Sequence, residues 1–296
     1  MTKEGSAKAF RSALTQNSDL RELAIQPQAT NCQMWTAYIW RFLVQEIFSF
    51  DGVREFYAAT GQNAAYYIKN IDEIDWLMQY ENETPEDKFA RHTWRKQAID
   101  AVFPTGNDEG GTGADLFPTK DHPWLASNRA SKIDELAAQL LRAFGVFARI
   151  VPDALNLTRN IVSHAVRFNE DIMHEAQVTY TVDLETSSDD EFHKNLDNMS
   201  LTAVNTDSGW PVRMNSVMKG MLQSDIRKRL YKVCVIEPAL QSQSWSAVSE
   251  ALGLQYGAVK TEVKSGVAVG WALNRNNPPE KESMFYIMAR SLGFVS

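Results

Sequence analysis

The sequence predicts a mainly α protein of two helical lobes with minor β content. Three observations predict it. Apolar residues recur at helical spacing over long stretches, most clearly across 127–149. A glycine- and proline-rich run, 104–123, is unusually long for a connection inside a compact domain and divides the chain. Alternating, β-branched sequence is confined to 177–184 and 262–271. The division gives an N-terminal helical lobe at 1–103, a loop or linker at 104–123 and a C-terminal helical lobe at 124–296.

The elements follow in order. Residues 6–25 form an amphipathic arm with Phe10, Leu14, Leu20 and Leu23 on or near one face, and Pro27 and Thr30-Asn31 end it. The stretch 32–50 is apolar nearly all round, as in a buried helix, and Asp51-Gly52 breaks it. Shorter helices are predicted over 53–59 and 64–80. Thr84-Pro85-Glu86 places proline at a first helical position, and the helix it starts runs to about Phe103. The 127–149 helix carries Ser131 and Asp134, a variant of the capping box, and Pro152-Asp153 restarts a helix that reaches Glu175. A strand at 177–184, a short helix toward Met199 and a turn at 205–211 come next. A helix over 212–235 stops at Pro238, and a short one over 245–252 closes at Gly253. A strand at 262–271 and a final helix at 281–292 complete the chain.

Hydrophobic residues make up 44% of the 296, enough to bury a sizeable core and to exclude wholesale disorder. The formal net charge of −7 argues against a generally basic nucleic-acid binder. Cys32 and Cys234 read as small buried hydrophobes in helical runs, so a reducing compartment is expected. The charges at the N-terminus precede no apolar segment of a secretory leader, and no apolar run approaches the ~20 residues of a membrane span. The expected location is cytoplasmic, which for a viral protein means host cytoplasm or virion.

Motifs that specify chemistry are missing. The glycines at 106, 110, 111 and 113 lack the Gly-Lys-Ser/Thr of a phosphate loop, and Asp108 and Glu109 would repel phosphate. No Gly-x-Ser-x-Gly elbow and no His-Glu-x-x-His is present. No catalytic residue set and no cofactor is therefore assigned. The nearest to a metal site is two Asp-x-x-His pairs, Asp171 with His174 and Asp190 with His193, because i and i+3 share a helix face.

Three basic clusters stand out. Arg227, Lys228 and Arg229 with Lys232 lie on the predicted 212–235 helix, where Lys228 and Lys232 share a face. Arg142, Arg149, Arg159 and Arg167 are spaced along two consecutive helices. Lys88, Arg91, His92, Arg95 and Lys96 are interleaved with Phe89 and Trp94. Cations among aromatics suit single-stranded nucleic acid, charge following the backbone and rings stacking on bases. The bland reading is solvated helix faces, or cations pairing with the excess acid.

The leading expectation is a non-enzymatic, self-assembling protein of nucleocapsid or coat type. Its two terminal segments dock on neighbouring subunits to build a homo-oligomer. Single-stranded RNA lies in a basic groove between the lobes, contacted by Arg149, Arg159, Arg167, Arg227, Lys228 and Lys232. One alternative is a metal-dependent enzyme with Asp171, His174, Asp190 and His193 as ligands. The other is a helical protein–protein adaptor.

Overall fold

The computed structural model describes residues 3–26, 29–49, 62–80, 83–102, 123–143, 153–173, 178–184, 192, 194, 201–205, 225, 230–244, 259–271 and 282–295. Helices make up 67% of the described residues, which are mainly α with small sheets. The helices are α1 (Lys3–Gln16), α2 (Ser18–Ala24), α3 (Asn31–Leu43), α4 (Gln62–Met78), α5 (Pro85–Val102), α6 (Pro123–Ala143), α7 (Ala154–Met173) and α8 (Met284–Ser291). A π-helical turn, Val44–Phe48, prolongs α3.

Local chemistry explains several boundaries. Asn17 splits the predicted 6–25 arm: its side chain accepts from the Leu20 backbone N–H and caps α2. Thr30 starts α3 with a reciprocal capping box to Gln33. Thr84 starts α5 in the same way, its hydroxyl accepting from the Asp87 N–H while the Asp87 carboxylate accepts from the Thr84 N–H. One expectation needs correcting here. α6 begins at Pro123, so Ser131 and Asp134 lie inside the helix rather than at its cap. Proline at the first helical position supplied the start.

The β content exceeds the expectation. Strands β1 (Val178–Asp183), β2 (Leu201–Asn205), β3 (Leu230–Glu237), β4 (Ala239–Ser244), β5 (Val259–Val263) and β6 (Ser265–Trp271) form two three-stranded sheets, ordered β1-β4-β5 and β2-β6-β3. Pro238 separates β3 from β4, and Lys264 separates β5 from β6. The four strands are therefore one long antiparallel hairpin bent between the sheets, with β1 added beside β4 and β2 beside β6 in parallel. The predicted helix over 212–235 is corrected at its end, since Leu230–Glu237 is a strand. Val233, Val235 and Ile236 are β-branched, and Cys234 is buried in that strand. Cys32 is exposed at the start of α3, contrary to the buried reading.

One hydrophobic cluster gathers Phe10, Leu14, Met34, Leu140, Val233 and Phe285, residues from both sides of 104–123. The two ends meet in it: the Phe10 and Phe285 rings lie 5.5 Å apart, and Trp35 meets Phe285 edge-on at 5.9 Å. Arg41 ties α3 to the sheet. Its Nη1 donates to the Val235 carbonyl at 2.8 Å and its Nε to Asn17 Oδ1 at 3.1 Å. Burial pushes the Cys234 thiol up to about 11, so that group is no activated nucleophile. Among the described residues, no helix is long and apolar enough to cross a membrane.

Candidate functional site

α4 is amphipathic the wrong way round. Its inner face, packed on α5, holds buried Ile68 and Ile71 but also Asp72 and Asp75. Those carboxylates sit one turn apart and meet arginines one turn apart on α5. Arg91 Nη1 reaches Asp75 Oδ1 at 2.8 Å, and Arg95 Nη2 reaches Asp72 Oδ1 at 3.0 Å. Arg91 also grips Glu83, Nε to Oε1 at 2.7 Å and Nη2 to Oε2 at 3.3 Å. Lys96 pairs with Asp100 at 2.9 Å. The third basic cluster is thus largely consumed by internal acid.

The outer face of α4 carries what an ordinary helix would bury. Tyr66 is 63% exposed, Trp76 69% and Leu77 72%, with Tyr67, Ile74 and Met78 beside them and Tyr80 just beyond the helix end. The central stripe reads Tyr66, Asn70, Glu73, Leu77, spaced four, three and four residues apart. Lys69 and Glu73 pair at 3.6 Å within the face. These seven apolar and aromatic residues present on the order of 900 Å² of surface, near the ~800 Å² that one partner contributes to a standard interface.

Two clefts run along α7 and share Phe48 as a wall. The π turn of Val44–Phe48 presents that ring, which meets Phe168 edge-on at 5.9 Å. On one side lies an apolar cleft of about 550 Å³ between α3 and α7, walled by Ile39, Trp40, Leu43, Ile161 and Phe168, with His164 at its edge. On the other lies a polar cleft of about 380 Å³, bounded by β1 and lined by Asp72, Asp75, His92, Arg95, Lys96 and Asn169. Burial, with the neighbouring Arg91 and Arg95 charges, holds the His92 pKa below its usual value.

The residues singled out in the sequence are dispersed. Arg159 is exposed on α7 and ion-paired with Asp134 at 2.7 Å. Arg167 is exposed on the same helix. Lys232 is half-buried in β3, level with Val269, so the helical face it was to share with Lys228 is corrected. Arg149, Arg227 and Lys228 lie outside the described residues. Of the metal set, Asp171 is exposed on α7, while His174, Asp190 and His193 lie outside the described residues. Among the described residues no group of three His, Cys, Asp or Glu is placed to hold a metal ion. Sequence reasoning missed the outer face of α4 and Asn169. The signal for the first was available: Asp72 and Asp75 match Arg91 and Arg95 in spacing.

No family model, no curated protein and no solved structure matches this chain.

Proposed function

We propose that this chain is a non-enzymatic assembly protein that self-associates through the outer face of α4. The carrying observation is the inverted helix. Burying carboxylates and exposing a tryptophan, a leucine and three tyrosines both cost free energy in an isolated molecule. The second cost disappears when another apolar surface covers the face. A second copy suits that face by shape and charge. An axis midway between Asn70 and Glu73 places Tyr66 of each copy level with Leu77 of the other. It also brings Lys69 of each within one residue's rise of Glu73 of the other. Such an isologous contact satisfies the two charges across the interface as well as within each helix.

Docking through the terminal segments is a weaker form of assembly for this chain. Phe10 and Phe285 are already buried against one another, and exposing them would forfeit that packing. A nucleocapsid or coat particle remains one form that α4-driven assembly takes. Its RNA half leans, among the described residues, on exposed Arg167, on Arg159, which already pairs with Asp134, and on half-buried Lys232.

Sedimentation velocity over a hundredfold concentration range tests the proposal. The wild-type chain is expected to form a dimer or larger species, and Leu77→Glu to raise its dissociation constant ~100-fold or more, as for a hot-spot residue. A wild-type chain that stays monomeric at 100 μM defeats it. An absorbance ratio at 260 and 280 nm on the same fractions reports bound RNA.

A further inference from the structure

We propose that the paired clefts along α7 bind a small amphipathic molecule with an uncharged, amide-like head and an apolar body. The head site is marked by Asn169. Its residue is only 8% exposed, it lines the polar cleft, and its side-chain amide has no hydrogen-bond partner among the described residues. The amide opens on the cleft, so a ligand there can take the place of water and pair with it directly. An asparagine amide offers a donor and an acceptor side by side, so its best complement is a group presenting an acceptor beside a donor.

The surroundings select an uncharged head. Asp72 and Asp75 of the lining are answered by Arg95 and Arg91, and Lys96 by Asp100. His92, with its pKa lowered, adds no charge at neutral pH. A carboxylate head would meet Asp72 and Asp75, and an ammonium would meet Arg95 and Lys96. The apolar body has a place next door. Phe48 walls both clefts, and Trp40, Ile161 and Phe168 line the 550 Å³ beyond it. Together the clefts have the size of small-molecule sites, with the polar groups gathered on one side of Phe48 and the apolar wall on the other.

Isothermal titration calorimetry with octanamide, octanoate and 1-octanol tests the assignment on the wild-type chain and on Asn169→Leu. Octanamide is expected to bind the wild-type chain at least tenfold more tightly than octanoate, and Asn169→Leu to abolish that preference. Equal binding of octanoate, undiminished binding of octanamide to Asn169→Leu, or no binding of any probe by a folded wild-type chain would each overturn the proposal. Asn169→Asp serves as a second variant if the leucine fails to fold, and it should lose octanamide affinity too. The outcome is independent of self-association through α4.

Discussion

Replacing Arg91 by methionine removes the side chain that pairs with both Asp75 and Glu83, two carboxylates largely withdrawn from water. Arg91 is 9% exposed in its side chain, Glu83 6% and Asp75 16%, so both acids are largely withdrawn from water where they meet it. Breaking a buried pair from one side costs about 3–5 kcal/mol, because the remaining charge stays desolvated and unpaired. At roughly 2 °C per kcal/mol for a chain of this size, Arg91→Met should melt about 6–10 °C lower. Urea unfolding followed by far-ultraviolet circular dichroism, at pH 7 and two salt concentrations, measures it. Removing all three charges, with Arg91→Met, Asp75→Asn and Glu83→Gln together, should recover most of the loss, since no buried charge is then left alone. A loss below about 1 kcal/mol, the range of an exposed pair, would refute the reasoning that this network holds α4 against α5. So would a triple variant no better than the single one.

Other expectations test neighbouring parts. The His92 pKa lies below its unfolded value of 6.5, so unfolding takes up a proton between the two. Stability should therefore fall as pH drops through about 6.5 toward the folded pKa, then level off. His92→Gln should flatten that slope in melts from pH 7.5 to 5. Phe285→Ala should cost about 3–5 kcal/mol, as for a core phenylalanine, and Phe10→Ala should show coupling to it in a double-mutant cycle. Additive losses would mean that the two ends do not share one core. Thr84→Ala removes the α5 cap and should cost about 1 kcal/mol by urea unfolding, whereas Thr84→Ser should cost less.

What the sequence made legible follows physical type. Helix starts were readable where proline or a capping threonine marks them, as at Thr84-Pro85, and the alternating strand at 178–183 was readable too. Leu230–Glu237 was misread because a short apolar run has no period that separates strand from helix. Its neighbouring lysines, four apart, lent the helix false support. Arg91, His92 and Arg95 were seen as one cluster, but spacing along one helix does not say what that helix faces. The acids that answer them lie 16 and 23 residues earlier on α4. Asn169 had no signal at all in one dimension, because its meaning comes from the cleft it lines in three.

Cysteine cross-linking tests the central claim most directly. In a Cys32→Ser background, which removes the exposed thiol, cysteine is placed at Asn70 or at Tyr66 and the protein is mildly oxidised. The proposed two-fold axis passes near Asn70, so Asn70→Cys should give a covalent dimer. Tyr66 of each copy lies about 16 Å along the helix from its own equivalent, beyond the ~7 Å limit for a disulfide, so Tyr66→Cys should not. Efficient dimer from Tyr66→Cys, or none from Asn70→Cys, would contradict assembly through α4.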